Sequence, residues 1–291
     1  MKFGLRYASL GRFGNGPDAV EICQAAEAAG FDSVWSAEHV VIPKGYASRY
    51  PYADNGRLGG SDREDFPIPD PFIWMAYVGA ATTTIKLGSA VVLLPQRNPV
   101  VTAKTVATLD NMTGGGRILL GVGVGWLKEE FDALGVPFED RGPRTDDYIK
   151  ALRVLWSDEC PTYHGEFVSF DDAYCRPQPV GGHVPIHIGG SSKPAARRAG
   201  RLADGYFPAR GNPIEYIDLA RRTAEEHGRD PDAIEITGAP PEDLSEIAEL
   251  EAAGVHRIGM PLFQLSGFHN VLNTPEDIER FGREVIDTYG S

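Results

Sequence analysis

The sequence predicts a (β/α)8 barrel, in which eight parallel strands form a closed barrel and each strand is followed by a helix. Three observations indicate this fold. The chain has 291 residues, a usual length for one such barrel, and 42% of them are hydrophobic, which suffices for a large core. Eight short apolar segments recur along the chain, with helical segments between nearly all of them. Helices repeatedly end at Gly or Asp just before the next apolar segment, as in successive βα units.

The predicted strands are short runs rich in apolar and β-branched residues. Strands buried on both faces of a parallel sheet are apolar along their whole length, and residues 87–94 and 117–124 show this pattern clearly. The eight predicted strands are residues 2–8, 33–37, 86–93, 117–123, 185–189, 204–207, 233–237 and 255–260. Eight strands close one barrel of this kind, so we expect a single domain over residues 1–291.

The boundaries between elements carry recognisable helix signals. Pro17 favours the first turn of a helix and Gly30 favours its end, which predicts a helix over residues 17–29 directly before strand two. The same signal precedes strand eight, where a helix ends at Gly254. Residues 86–126 form the clearest unit, because two buried strands, one helix and a glycine-rich exit follow one another there.

Two predicted insertions interrupt this alternation. Residues 41–69 follow strand two and are rich in Gly, Pro, Tyr and charged residues, and residues 157–183 precede strand five. A loop that follows a barrel strand lies on the catalytic face, so the first insertion is a candidate lid over the active site. A decorative loop without a functional role is the alternative for this segment.

The charge balance excludes several classes of partner. The chain has 28 Lys and Arg against 41 Asp and Glu, a formal charge of −13, which opposes unaided binding to nucleic acid or anionic lipid. No stretch approaches the roughly 18 apolar residues of a membrane-spanning helix, and the N-terminal segment lacks the apolar core of a signal peptide. We therefore expect a cytoplasmic protein without nucleic-acid or membrane partners.

Metal, ATP and acyl-transfer chemistry lack the motifs that they need. The sequence has no HExxH, no HxH after strand one and no repeated carboxylates at successive strand ends, so no metal site is expected. It also has no GxxxxGK[ST] phosphate-binding loop and no GxSxG nucleophile motif.

A glycine-rich segment closes strand four. Gly121, Gly123 and Gly125 resemble the beginning of a dinucleotide-binding motif, but the third glycine is not at the spacing that this motif requires. Glycines at the end of a barrel strand allow a ligand to approach the backbone closely, and a tight strand-to-helix turn is the alternative.

A better candidate for an anion site follows strand five. Backbone amides at a helix start, hydroxyl groups and nearby guanidinium groups together suit a phosphate. The residues concerned are Gly189, Gly190, Ser191 and Ser192, followed on the next helix by Arg197, Arg198 and Arg201. The alternative is a serine that caps a surface helix with solvated arginines.

Polar residues also end strand two. Glu38 and His39 lie at the expected catalytic face, where a histidine can donate or accept a proton near neutral pH. A structural histidine is the competing interpretation. His187 lies inside strand five between two isoleucines, and it either faces the barrel interior or packs in the core, of which the core is favoured.

Four segments together resemble the bacterial luciferase-like superfamily, and specifically its F420-dependent oxidoreductases. They cover about two-fifths of the chain in the order of the barrel strands. The segments are SAEHV at residues 36–40, LGSAVVLLPQRNPVVTAKTVATLD at 87–110, GGRILLGVGVGWLKEEFDALG at 115–135 and PIHIGGSSKPAARRAGRLADGYFP at 185–208.

The resemblance implies a flavin or deazaflavin at the C-terminal ends of the strands. In the family a non-prolyl cis peptide supports the central ring, and its equivalent here joins Ala90 to Val91. His39 matches the histidine that lies close to the reacting ring in several F420 relatives, so His39 is the predicted catalytic residue. Glu38 and His39 are also predicted to contact the cofactor.

The resemblance also implies where the rest of the cofactor lies. Residues 189–192, which are Gly189, Gly190, Ser191 and Ser192, match the loop that holds its phosphate. Val124 and Trp126 would form pocket walls. Relatives that oxidise glucose 6-phosphate carry a Glu where this chain has Val124, so sugar-phosphate dehydrogenase activity is not expected.

The sequence therefore predicts an F420-dependent oxidoreductase that moves hydride between the deazaflavin and a small organic substrate held under the lid. An FMN-dependent luciferase-like monooxygenase is one alternative, and a non-catalytic flavin-binding or F420-binding barrel is another. The resemblance also suggests a homodimer.

Overall fold

The structure is a computed structural model that describes residues 1–60, 63–210, 214–262 and 272–290. Eleven strands occur in these ranges, and nine of them belong to one parallel sheet. They are β1 (Lys2–Arg6), β2 (Ser33–Ser36), β3 (Lys86–Ser89), β4 (Val92–Leu93), β5 (Ile118–Gly123), β6 (Tyr163–His164), β7 (Ser169–Phe170), β8 (Ile186–Gly189), β9 (Gly205–Phe207), β10 (Glu235–Gly238) and β11 (Arg257–Pro261).

The parallel sheet closes on itself, which confirms the predicted barrel. Neighbours around the ring are β1, β2, β3, β5, β8, β9, β10 and β11, and β11 pairs again with β1. The short strand β4 continues β3 and pairs with the end of β5, so β3 and β4 share one of the eight barrel positions. β6 and β7 form a separate antiparallel hairpin.

Helices surround the barrel. They are α1 (Gly16–Ala28), α2 (Pro71–Gly79), α3 (Pro99–Met112), α4 (Lys128–Leu134), α5 (Arg141–Ser157), α6 (Lys193–Leu202), α7 (Ile214–Glu226), α8 (Ile247–Ala252), α9 (Pro275–Phe281) and α10 (Asp287–Tyr289). Five of these ten begin with proline in the first turn behind a capping side chain, which is Asn15, Asp70, Asn98, Ser192 or Thr274. No helix in the described residues is long and apolar enough to cross a membrane.

Two of the differences between the predicted and the observed strand ends have a structural cause. β1 stops at Arg6 rather than at residue 8, because Tyr7 adopts a left-handed backbone conformation with φ of 62°. The predicted strand at residues 86–93 is divided into β3 and β4 by a cis peptide bond between Ala90 and Val91. The family resemblance predicted that cis bond, and it is present.

Both predicted insertions are present as segments between barrel elements. Residues 41–69 connect β2 to α2 as irregular chain with one short 3-10 turn at Leu58–Gly60, apart from the two residues that lie outside the described ranges. Residues 157–183 contain the β6–β7 hairpin, which Asp147 of α5 holds by accepting hydrogen bonds from Tyr163 and from the backbone N–H of Phe167.

The barrel interior is filled by large side chains. Trp35 lies between Gly4 and Gly88, whose missing side chains leave room for its indole, and it contacts the rings of His187 and Phe207. His187 is 2% exposed. The two positions that the sequence allowed for it, facing the barrel interior and packing in the core, are therefore one and the same. Burial and the nearby Arg257 lower the pKa of His187 to about 4, which keeps it neutral.

The glycines of β5 are explained by close packing against the β3–β4 turn. A Cβ atom on Gly121 would lie 1.7 Å from the carbonyl oxygen of Ser89. A Cβ atom on Gly123 or on Gly189 would lie 2.5 Å from a methyl group of Val91. The Val91 side chain therefore occupies the space that these two glycines leave, and the motif does not form a dinucleotide-binding turn.

Replacing Gly121 by Ala should strongly destabilise the barrel, because the added methyl group overlaps backbone that cannot move independently of β3. We expect a loss of at least about 3 kcal/mol in the free energy of unfolding, measured by urea denaturation. Gly142→Ala is the matched control, since its Cβ would meet only the end of Arg198 at 3.4 Å. Equal stability of the two variants would contradict this explanation of the glycine pattern.

Candidate active site

The predicted site residues converge at the rim formed by the C-terminal ends of the strands. Val91, after β3, packs its side chain against Gly123 at the end of β5 and Gly189 at the end of β8. The ring of His39, after β2, meets the indole of Trp126, after β5, at a centroid distance of 5.7 Å. Residues from four barrel strands thus border one mouth.

A buried carboxylate fixes His39. Nδ1 of His39 lies 3.0 Å from Oε2 of Glu130, a residue of helix α4. The other oxygen of Glu130 accepts hydrogen bonds from the backbone N–H groups of Val40 at 2.6 Å and Val41 at 3.3 Å. The Glu130 side chain is completely buried. His39 and the two residues that follow it are therefore held by the Glu130 side chain.

The charge state of Glu130 determines the tautomer of His39. Burial acts to raise the pKa of Glu130, but hydrogen bonding from His39 and from the Val40 amide outweighs it and holds that pKa below its usual value. An ionised carboxylate only accepts hydrogen bonds, so Nδ1 of His39 carries a proton. Nε2 of the neutral ring is then a proton acceptor, and Glu130 stabilises the positive charge that develops when Nε2 takes a proton.

Three tyrosines of the lid segment, residues 41–69, line the same mouth. Tyr46 and Tyr50 make edge contacts with Trp126 at centroid distances of 5.5 and 5.2 Å. Tyr52 contacts Tyr50 at 5.5 Å. Its hydroxyl also accepts a hydrogen bond of 3.3 Å from the N–H of Ser191, after β8. The lid segment therefore reaches from the histidine side of the mouth to the predicted phosphate loop.

Glu129 anchors the lid segment to the same helix that holds His39. Its carboxylate accepts hydrogen bonds from the N–H groups of Ala47 at 2.7 Å and Ser48 at 3.0 Å. Burial is the largest single influence and acts to raise the pKa of Glu129, but hydrogen bonds from the Ser48 hydroxyl and from backbone N–H groups together outweigh it and lower that pKa to about 2. The Ser48 hydroxyl also accepts from the N–H of Lys128 at 3.1 Å. Adjacent glutamates on α4 thus fix the lid and the histidine.

Glu38 has a different environment from the one predicted for a cofactor ligand. One oxygen accepts from the N–H of Leu93 at 2.5 Å, and the other accepts two hydrogen bonds from Arg97. Arg97 also pairs with Asp70 at 2.7 Å, the residue that caps α2. Both carboxylate oxygens are engaged with the protein, so the described contacts give Glu38 the role of joining β2, β4 and α2. Cofactor contact by Glu38 stays a prediction.

Ala90, Val91 and Val124 lie at the mouth with partly exposed surfaces. The cis bond joins the first two, and Val124 directly follows β5, one residue before Gly125 turns the chain with φ of 82°. A Cβ on Gly125 would overlap Phe131 of α4 at 2.6 Å. This close packing places the Val124–Trp126 turn against α4, beside Glu130.

The predicted phosphate loop is well ordered by hydrogen bonds. Gly190 has φ of 125°, and its N–H donates to Phe207 at 3.0 Å. Ser192 caps α6 by accepting from the N–H of Ala195 at 3.3 Å, which confirms the serine cap that the sequence offered as the alternative. Among the described residues, no acceptor binds the N–H groups of Ser192 and Lys193, so both remain available to an anion at the helix start.

The arginines of α6 do not contribute to that loop as the sequence suggested. Arg198 and Arg201 both pair with Asp146 of α5, and Arg198 also donates to the carbonyl of Gly142. Arg197 lies on the exposed face of the helix. The guanidinium groups of Arg198 and Arg201 therefore hold α6 against α5. Within the described residues, the backbone amides of the loop are the candidate anion-binding groups.

Sequence reasoning missed Glu129 and Glu130. They stand in the segment WLKEEF, where two acidic residues in the first turn of a short helix look like a solvated helix start. Glu130 is buried where the loop after β2 folds against α4. The sequence pattern around Glu130 does not indicate that contact. The position of the pair directly after the glycine-rich exit of β5 was the available signal.

A family model for luciferase-like monooxygenases matches residues 7–241 of this chain. The chain belongs to the luciferase-like monooxygenase family. Its members are enzymes with an oxidoreductase chemistry, so the chain is an enzyme of this class. The resemblance inferred from the four sequence segments is thereby confirmed.

Relatives in other organisms extend over most of the chain. An uncharacterized protein of Mycobacterium tuberculosis is 33% identical over 240 residues, which cover 81% of this chain and 82% of that protein. An FMNH(2)-dependent dimethylsulfone monooxygenase of Pseudomonas putida is 33% identical over 201 residues, which cover 68% of this chain and 49% of that enzyme. This chain therefore spans about half the length of that monooxygenase.

Solved structures share the fold over nearly the whole chain. An F420-dependent secondary alcohol dehydrogenase in complex with an F420–acetone adduct superposes with a TM-score of 0.74 at 20% identity, covering 99% of this chain and 98% of that one. The coenzyme F420-dependent tetrahydromethanopterin reductase of Methanopyrus kandleri gives a TM-score of 0.73 at 18% identity, covering 99% of each chain. Both likenesses concern the fold.

Replacing Glu129 by Ala should loosen the lid segment, because two backbone N–H groups lose an ionised acceptor. We expect trypsin to cleave after Lys44 and Arg49 about 10-fold faster in the native protein, followed by mass spectrometry. Asp132→Ala is the matched control, since it removes the same charge from α4 and contacts only Lys128. Similar cleavage rates in both variants would show that Glu129 does not hold the lid.

Proposed function

We propose that this enzyme is an F420-dependent oxidoreductase that acts on a small organic substrate beneath the lid segment. The observation that carries the proposal is the His39–Glu130 pair at the rim of the barrel. It provides a proton acceptor of fixed tautomer beside Trp126, with the cis Ala90–Val91 turn on the same rim. Hydride transfer between a deazaflavin and an alcohol or carbonyl substrate requires a proton to be removed from or added to the substrate oxygen, and His39 would take part in that step.

The comparisons support this proposal through architecture. The two F420-dependent enzymes match this chain over nearly all of both chains. The barrel of this chain is therefore one that F420-dependent enzymes also use.

The residues present fit a cofactor of this kind. The amide groups of Ser192 and Lys193 at the start of α6 suit a phosphate, because they are free donors at the positive end of a helix. A side chain on Gly190 would approach the Tyr52 hydroxyl at 3.4 Å, so glycine keeps this loop open. When bound, the deazaflavin would supply the hydride-carrying carbon.

The remaining residues would orient the substrate and exclude water. Ala90 and Val91 would support the ring from below, while Val124 and Trp126 would form walls. The tyrosines of the lid segment would cover the mouth, held by Glu129. Nε2 of His39 would take the proton from an alcohol substrate, or return one to a carbonyl substrate, and Glu130 would stabilise the charged ring.

A second candidate is an FMN-dependent monooxygenase, which the 33% identity to the dimethylsulfone monooxygenase favours. Both cofactors carry a phosphate and a tricyclic ring, so the same loop and the same turn would serve either. Binding measurements separate the two functions directly.

The homodimer implied by the resemblance stays a prediction. Helix α2 exposes the apolar side chain of Ile73 and the ring of Tyr77.

The cofactor assignment is tested by titrating the purified protein, freed of bound small molecules, with F420 and with FMN separately. We expect F420 to bind at least about 10-fold more tightly than FMN, a difference of about 1.4 kcal/mol in binding free energy. Absorbance and intrinsic tryptophan fluorescence report the binding. Tight binding of FMN without binding of F420 would overturn the F420 proposal and support the monooxygenase.

Replacing His39 by Ala should lower the rate of hydride transfer at least about 100-fold, because the proton acceptor is lost, and should change cofactor affinity less than about threefold. The rate is followed by the absorbance of bound cofactor against a panel of small alcohols and carbonyl compounds. His164→Ala is the control, since His164 is an exposed histidine in the β6–β7 hairpin.

Unchanged turnover in His39→Ala would exclude the catalytic role of this residue. Binding and chemical reduction of the cofactor without turnover of any substrate in the panel would favour the non-catalytic barrel.

A further inference from the structure

Arg6 is a buried cation at the C-terminal end of a barrel strand. It is the last residue of β1 and is 6% exposed. Its guanidinium carbon lies 4.5 Å from the centre of the Phe207 ring, at the end of β9, three strands away around the barrel. The missing side chain of Gly259 leaves room for the methylene groups of Arg6, since a Cβ there would lie 2.4 Å from its Cδ.

The charge of Arg6 is not balanced by the described residues. Nη2 donates to the hydroxyl of Tyr7 at 3.1 Å, whereas Nε is buried without an acceptor. Across residues 1–60, 63–210, 214–262 and 272–290, no carboxylate lies within 4.0 Å of this guanidinium. The buried Arg257, in contrast, pairs with both Asp32 and Glu235. An unpaired buried cation is costly, so an acceptor from a ligand is expected.

Arg6 acts electrostatically on the lid segment, which in turn contacts the His39 side of the mouth. Burial, Tyr7 and Tyr52 raise the pKa of the Tyr50 hydroxyl, and the charge of Arg6 opposes that rise. Tyr50 contacts Trp126, which contacts His39. An aromatic wall therefore runs from Tyr50 to His39.

The backbone around Arg6 supports the same function. Tyr7 has φ of 62°, a conformation that is uncommon for residues other than glycine and that is often found at ligand sites. This conformation brings the Tyr7 hydroxyl to Nη2 of Arg6. Contact with Phe207 and with Tyr7 fixes the plane of the guanidinium, so little side-chain entropy is lost when an anion binds.

We propose that Arg6 binds a carboxylate group of the substrate, and that the substrate is therefore a small organic acid. This inference rests on the proposed function for the position of the reacting carbon, which would lie between Arg6 and His39. A planar carboxylate matches the fixed plane of one guanidinium that has no carboxylate partner among the described residues. A phosphate is better served by several converging donors, which the structure offers at the start of α6 instead.

The test is isothermal titration calorimetry of the full chain with benzoate and hexanoate, each compared with its uncharged amide, with and without saturating oxidised cofactor. We expect at least one carboxylate to bind at least about 10-fold more tightly than its amide in the unmodified protein. Arg6→Met should abolish that difference, and Arg6→Lys should restore part of it. Arg222→Met is the matched control for lost charge, since Arg222 is exposed on α7.

The outcomes separate this inference from its alternatives. Equal binding of acid and amide to the unmodified protein, or an acid preference that persists in a folded Arg6→Met, would overturn it. Tighter binding of inorganic phosphate than of either carboxylate at Arg6, or weaker cofactor binding in Arg6→Met with unchanged carboxylate binding, would also overturn it. If neither F420 nor FMN binds while the acid preference depends on Arg6, the proposed function fails and the carboxylate site stands.

Discussion

The mouth of this barrel depends on one buried carboxylate. Glu130 binds His39 with one oxygen and the amides of Val40 and Val41 with the other, so the chain after β2 follows helix α4. Hydrogen bonds to an ionised group contribute about 1.5–3 kcal/mol each, and a buried carboxylate without them would be strongly destabilising. The contact therefore stabilises the mouth, and it also sets the tautomer on which proton transfer by His39 depends.

Close packing provides the second constraint. Glycines at the ends of β5 and β8 admit the Val91 side chain, and Gly121 admits the backbone of Ser89. Because these contacts leave no room for a methyl group, the β3–β4 turn, the β5 exit and the β8 loop form one rigid rim. The lid segment is attached to this rim through Glu129 and through Tyr52, so it is ordered by hydrogen bonds rather than by a core of its own.

The sequence predicted much of the fold, because buried parallel strands and helix ends are local signals. All eight barrel positions, both insertions and the position of the lid segment follow from apolar runs and from glycine and proline. The site was less accessible. His39 and the loop at residues 189–192 were found by their place after strands, but the roles of Glu38, Glu130, Arg6 and Arg198 depend on partners distant in the chain. A buried ion pair and a solvated one have the same sequence signature, so only the structure separates them.

The most direct test of this account is the tautomer of His39 in solution. Long-range ¹⁵N–¹H correlation spectra of the ¹⁵N-histidine-labelled protein, with His39 assigned by its absence in His39→Ala, report which ring nitrogen carries the proton. The account predicts that the neutral ring carries its proton on Nδ1, and that Glu130→Ala shifts it toward a mixture of tautomers. A proton on Nε2 in the unmodified protein would contradict the account, because His39 would then lack the basic nitrogen at the mouth.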